Sequence, residues 1–418
     1  MDRQTEILII GGGVIGACCA FYLTRLGKQV TLVERGEICS EVSDGNACWV
    51  AAAYALPTAA PGVMGQGLRW ILDSASPFYI KPRLNFDLLR WLWQFRAACT
   101  HERMMASAPL LLQLNRQSLQ LFRDLAEIEK LEFGYSERGL LTLHQSEKAR
   151  NAGEQEAEIL RGLGIEAISL DRKGLIALEP NLKAEVTSAI FYPEHAHLNA
   201  SKLVNAVADQ AKLEGATILT HSEVTGFTLR EGRITEVKIS DDSIQAEEVV
   251  LAAGAWSSIL AKQLGAPILM EPAKGYSITA KRKFPDHGPT RSISIDDARV
   301  AVTPLGIDRF RFSSTLELAG FDPRINTRRL AASREAMQSI FSDMEALDEE
   351  KTFYGYRPLT PDGLPYIGRS EKIQNLVFAT GHGKMGLTHG PITGQLVSQI
   401  IGGKNPSIDL TLLRPERF

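Results

Sequence analysis

Three stretches of this sequence combine residue types and spacings that can do chemistry. The first, Gly11-Gly12-Gly13-Val14-Ile15-Gly16, fits G-x-G-x-x-G. It follows the apolar run Glu6 to Ile10, and an acid, Glu34, closes the next apolar run, Gln29 to Val33. In that context Gly11 permits a tight turn, Gly13 lets backbone approach a pyrophosphate, and Gly16 lets helix pack on strand. The helix start offers unpaired N–H groups and the positive end of its dipole, and Glu34 can accept hydrogen bonds from ribose hydroxyls. These residues indicate an adenine dinucleotide without distinguishing NAD from FAD. The competing reading is a tight turn with no ligand.

The second stretch is Gly381-His382-Gly383-Lys384-Met385-Gly386, just before a helix expected to start near Leu387 or Thr388. Backbone donors at a helix start suit a place where negative charge develops, as at N1 of a reduced flavin; a flexible glycine-rich turn is the alternative. The third is Tyr354-Gly355-Tyr356-Arg357-Pro358, followed by Thr360-Pro361-Asp362-Gly363. Pro358 biases Arg357 toward extended geometry, from which its guanidinium can grip a carboxylate through two parallel hydrogen bonds. A solvated arginine, or one bridging Asp362, is the plainer reading. The run EEVVLAAG, ending at Gly254, reads as a buried strand whose small residues permit close passage of a cofactor or of the first helix. His195-x-His197 has no third ligand at metal-type spacing, so no metal is assigned. Adjacent Cys18 and Cys19 read as small core residues, and Cys48 lies in an uncharged loop that can approach a cofactor.

Composition narrows the setting. The 418 residues are 44% hydrophobic and 23% charged, enough for a large core and for two or three domains. Lys plus Arg number 46 against 49 Asp plus Glu, a net charge of -3, which leaves no basic excess for nucleic acid. Five cysteines without C-x-x-C spacing argue against a disulfide scaffold or structural zinc and for a reducing compartment. The uncharged stretches Ile7 to Thr24 and Gly45 to Leu68 are broken by glycine or proline and are not read as membrane spans. The N-terminus lacks a signal-like basic start, so a soluble cytoplasmic protein is expected, with peripheral contact at the inner face of the cell membrane as an alternative.

The elements that must position these residues interleave. A strand, a helix from Val14 to Leu26 ended by Gly27, and a second strand form a βαβ unit at the start. Helices are expected over Ser107 to Lys130, with Pro109 in the first turn, over Glu147 to Leu163 as an exposed charged helix, and from a cap at Ser201. Leu88, Leu89, Trp91, Leu92, Trp93 and Phe95 make an apolar helix, read first as core and second as a membrane or partner patch. Glu231-Gly232 marks a hairpin, Tyr276 to Ala280 and Arg299 to Phe312 longer antiparallel strands, and Leu376 to Ala379 a last core strand. The expected fold is α/β: a Rossmann-type dinucleotide domain over 1–80, 191–270 and 350–418. An inserted α+β substrate domain, an antiparallel sheet plus helices, takes 81–190 and 271–349.

Together and in this order, these stretches resemble the D-amino acid oxidase and glycine oxidase superfamily of FAD enzymes, and within it the bacterial D-amino acid dehydrogenases. Asp44-Gly45-Asn46-Ala47, Ala59-Ala60-Pro61-Gly62-Val63, the segment near Trp91 and Lys274-Gly275-Tyr276-Ser277 extend the likeness over nearly the whole chain. The resemblance implies non-covalent FAD. It implies that Gly11, Gly13, Val14, Ile15, Gly16, Glu34 and Arg35 hold the adenosine and pyrophosphate side, and that Ser43, Ala47, Cys48 and Trp49 run along phosphates and flavin. Val224 would meet the adenine, Gly254 would pass close to the cofactor, and Gly383, Lys384, Met385, Gly386, Leu387 and Thr388 would meet the pyrimidine end of the flavin. Arg357 falls on the substrate-carboxylate arginine, Tyr276 on a substrate-pocket position, and Lys384 on a position that is Arg in some relatives. The implied reaction is oxidative deamination of a D-amino acid by hydride transfer to flavin N5, with electrons passed to a quinone or another non-oxygen acceptor. Hydride transfer needs positioning more than a side-chain base, in keeping with the lack of a Ser/His/Asp or Cys/His set. Alternatives are oxidation of a secondary amine (D-proline, hydroxyproline or sarcosine), or of glycine, and a non-catalytic FAD-binding electron-transfer subunit of a larger complex.

Overall fold

The structure, a computed structural model, describes residues 3–63, 78–129, 131–240, 242–284, 287–341 and 348–418. Two sheets organise it. At the centre of the first is the strand Arg3–Ile10, flanked in parallel by Val30–Val33 on one side and Asp242–Leu251 on the other. Thr217–Leu219 and Leu376–Thr380 extend this parallel core outward. All but its first residues are apolar, because both faces are covered. Ile7 and Ile9 pack under the helices Val14–Arg25, Ala200–Leu213 and Gly386–Ile401, while Leu8 and Ile10 face the opposite layer, where Val237, Leu260 and Phe378 lie. The chain leaves the central strand in one direction and returns to its other side, so a crevice opens at the carboxyl end of Ile10, where open α/β sheets bind ligands.

The second sheet is mixed, in the order Asp348–Leu359, Glu271–Lys281, Arg309–Leu318, Val300–Leu305, Ser292–Ile295, Leu140–His144, Ser188–Tyr192, Ile168–Leu170. Its back face packs on the helix Thr327–Ile340 through Phe310, Phe312, Met337 and Ile340. Strand Asp348–Leu359 pairs with Glu271–Lys281 along its whole length, so the second sheet runs to Leu359, past the expected boundary at 349.

The βαβ unit, the hairpin at Glu231-Gly232 and the closing strand and helix lie where the sequence puts them; both hairpin-tip residues have positive φ. Two local expectations fail. The helix expected from Ser107 begins at His101, capped by the Thr100 hydroxyl, and holds Pro109 in its interior, so the proline is not in the first turn. The cap of Ala200–Leu213 is Asn199, whose Oδ1 accepts the N–H of Lys202 at 3.0 Å; Ser201 sits inside the helix and donates to Asp44. Among the described residues, no helix is long and apolar enough to cross a membrane.

Candidate active site

A cavity of about 830 Å³ runs from the carboxyl end of the first sheet to the open face of the second. Its walls include Gly11, Gly13, Val14, Ile15, Glu34, Arg35, Ser43, Ala47, Cys48, Trp49, Val224 and Gly254, and also Gly383 through Thr388 and Arg357. Gly16 and Tyr276 stay outside it.

At one end the glycine turn is a cradle. Gly11 has φ +113° and a Cβ there would sit 2.6 Å from the Ala252 carbonyl oxygen. A Cβ on Gly16 would overlap the Gly11 carbonyl, so Gly16 is fixed by helix-strand contact and not by a ligand. Gly13 caps the helix without a side chain, and the Val14 N–H is held by the Ser43 hydroxyl at 3.0 Å. The Glu34 carboxylate accepts from Gly12 N–H at 2.7 Å and Gly36 N–H at 2.9 Å, which fixes it at the mouth of the turn. Arg35 stacks 3.8 Å from the centre of the Trp256 ring and pairs with Glu41.

In the middle, residues 49–54 are tied down by Thr388 and by His195, Asn115 and His389, to which the sequence assigned no such role. Thr388 Oγ1 accepts from Ala51 N–H at 3.0 Å and donates to Trp49 O at 3.2 Å. Asn115 donates to the carbonyls of Ala52 and Tyr54 at 3.1 and 3.2 Å, which leaves its Oδ1 to accept from His389 Nε2 at 2.8 Å. His195 Nε2 accepts from Ala53 N–H at 2.9 Å. Burial pushes His195 and His389 down to about 3, so both are neutral, as His195 must be to accept this bond. Trp49 Nε1 is buried on the cavity wall without a partner among the described residues, a donor waiting for an acceptor.

At the far end stands Arg357. Its strand partner is Ala273, so its side chain shares a face with Gly275, and a Cβ on Gly275 would overlap the guanidinium. Nη1 donates to the Thr315 carbonyl at 2.9 Å. Burial alone lowers the Arg357 guanidinium to about 10, and among the described residues no carboxylate is paired with it. Tyr276 lies one residue out of phase. It points to the back face, where its hydroxyl donates to Glu317 at 2.9 Å and accepts from Asn326 N–H at 3.0 Å, within a cluster with Lys274 and Arg329. The pocket role expected of Tyr276 is therefore not available to it.

The arrangement fits an adenine dinucleotide flavin. A cradle free of side chains, a fixed acid beside it, a glycine-flanked helix start and an orphaned indole N–H all line one cavity that ends at a desolvated cation. The comparisons agree. The family described as "DAO: FAD dependent oxidoreductase" matches residues 6–400. A D-amino acid dehydrogenase of Granulibacter bethesdensis is 32% identical over 417 residues, covering 99% of each chain. One of Vibrio vulnificus is 31% identical over 403 residues, covering 96% of each. Glycine oxidase from Geobacillus kaustophilus shares the fold, with a TM-score of 0.82 at 23% identity over 100% of this chain and 99% of its own.

Proposed function

The chain belongs to the DAO family of FAD-dependent oxidoreductases, and on that premise we propose that it deaminates D-amino acids oxidatively, as a dehydrogenase. The observation that carries this reading is Arg357: a half-buried cation at the inner end of the cavity, its charge disfavoured by the surrounding protein and without a carboxylate partner among the described residues. Such a group is costly unless an anion joins it, and the α-carboxylate of an amino acid is a fitting anion. A subunit that only carried electrons would have no use for it. FAD, bound non-covalently, supplies the two-electron acceptor for the hydride leaving Cα. Arg357 holds the carboxylate and so fixes Cα and its hydrogen. Arg357 and Lys384, two cations on the cavity wall, disfavour an ammonium placed beside them. Loss of hydride from the neutral amine leaves an iminium, which water converts to a 2-oxo acid and ammonium.

On this reading 3–63, 193–270 and 360–418 form the cofactor side and 78–192 and 271–359 the substrate side, since Phe78–Ile80 and Ser188–Tyr192 pair into the second sheet. Electrons pass to a quinone or another non-oxygen acceptor. The helix Phe86–Ala98 supports a peripheral site at the inner membrane face: Trp91 and Phe95 are buried, while Leu89 and Trp93 are 57% and 70% exposed. The test is steady-state turnover of D-amino acids, D-proline and sarcosine with a dye and with oxygen. Fast release of ammonia and 2-oxo acid from D-amino acids with the dye supports the proposal. Turnover confined to the secondary amines, or equally fast with oxygen, refutes it.

A further inference from the structure

The reaction just described leaves one wall of the chamber unused. Lys384 lies with Nζ 4.8 Å from the centre of the Tyr54 ring, and Glu156 reaches the same cavity from the helix Glu147–Gly162. Asp296 and Arg299, on the adjoining turn, neutralise one another as an ion pair at 3.1 Å. Glu156 and Lys384 do not. Each favours the other's charged form, yet among the described residues no ion pair joins them. Both side chains are exposed to the open cavity they line, while the surrounding protein raises the Glu156 carboxyl and lowers the Lys384 ammonium.

A gap between an acceptor and a donor of opposite charge selects by chemistry. An ammonium would meet Glu156 but face Lys384 and Arg357. A carboxylate would meet Lys384 but face Glu156. An aliphatic end would desolvate both charges and return no hydrogen bond. An uncharged group carrying both a donor and an acceptor satisfies the two walls at once.

We propose that Glu156 and Lys384 form a side-chain subsite selecting D-amino acids that end in an uncharged donor–acceptor group, a carboxamide above all. The proposal rests on the D-amino acid reading. It makes Glu156 a specificity-determining residue with no part in the chemical step.

The test is kcat/KM of the holoenzyme for D-glutamine, D-glutamate, D-norleucine and D-alanine with a dye acceptor. D-glutamine should exceed D-glutamate and D-norleucine by about tenfold or more, the discrimination a hydrogen-bonding site provides. Glu156→Leu should lower the D-glutamine to D-alanine ratio by about tenfold, mainly through KM. Glu156→Gln should raise D-glutamate relative to D-glutamine, because Lys384 then attracts a carboxylate with no opposing charge; a merely structural residue would not produce that reversal. Ratios unchanged in both variants, or a wild type that prefers D-norleucine or D-glutamate, overturn the subsite alone. A wild type that turns over no D-amino acid overturns the function and the subsite together.

Discussion

Replacing Arg357 with leucine separates a substrate clamp from a structural arginine, because the two make opposite forecasts for stability. In the free protein the guanidinium is half-buried and donates to the Thr315 carbonyl, with no carboxylate paired to it among the described residues. Leucine removes a half-buried charge from a site walled partly by Gly275 and loses little, so Tm should stay level or rise. Catalysis should suffer: taking away one partner of a buried charge pair costs about 2–5 kcal/mol, or roughly 30- to 5,000-fold in kcat/KM. Flavin content should be normal. Arg357→Lys should recover only part of the activity, since an ammonium restores charge without the planar fork. The assays are dye-linked kcat/KM, the visible flavin spectrum and a thermal melt on the same preparations. A leucine variant with near-normal kcat/KM, or one whose Tm falls by several degrees, would refute the clamp.

Gly275→Ala places a Cβ against the Arg357 guanidinium and should displace it, lowering kcat/KM by about 100-fold with FAD retained; unchanged kinetics would mean that the contact does not set the arginine's position. In Gly13→Val the new Cβ meets only Ser43 Oγ, at 3.1 Å, a tight contact that a small shift of the serine relieves, but its methyls would occupy the pyrophosphate's place; the variant should be folded and colourless, and a yellow one would contradict the cradle. His195 and His389 titrate near 3 and His197 near 4, against an ordinary 6.5, so the unfolded chain binds more protons across that window and stability falls as pH drops through it. At about pH 5 the loss is on the order of 2 kcal/mol per histidine, and FAD should be released as residues 49–54 loosen; a Tm that stays flat between about pH 7 and 5 would contradict this.

The cofactor cradle was legible because its requirements are local. A glycine turn between a strand and a helix, with an acid closing the next strand, can be read from a few dozen residues. Tyr276 was misplaced because strand Glu271–Lys281 is buried on both faces up to Ala280, so its sequence carries no alternation to show which residues share a face with Arg357. Pairing with Ala273 settles the phase, and pairing is a tertiary fact. Asn115, His195 and His389 hold the flavin-side loop from a distant helix, a loop and the closing helix; the available signal was a lone polar residue on an apolar helix face, as Asn115 is beside Leu111, Leu112 and Leu114. The helix Glu147–Gly162 is exposed as read, but its charge pattern gives no sign that Glu156 borders the cavity. Ser201 was mistaken for a cap because Asn199, two residues earlier, is as good a capping residue, and the choice depended on Asp44 taking the serine hydroxyl.

The central claim, that a carboxylate held by Arg357 presents a D-amino acid for hydride removal, is tested most directly by one anaerobic mixing experiment. Wild-type holoenzyme is mixed with D-alanine, and separately with L-alanine, while the flavin spectrum and the products are followed. The account predicts bleaching by the D-enantiomer with one 2-oxo acid and one ammonia formed per FAD, and no bleaching by the L-enantiomer. A flavin that stays oxidised with D-alanine and with every other D-amino acid tried, or that bleaches equally with both enantiomers, would contradict it.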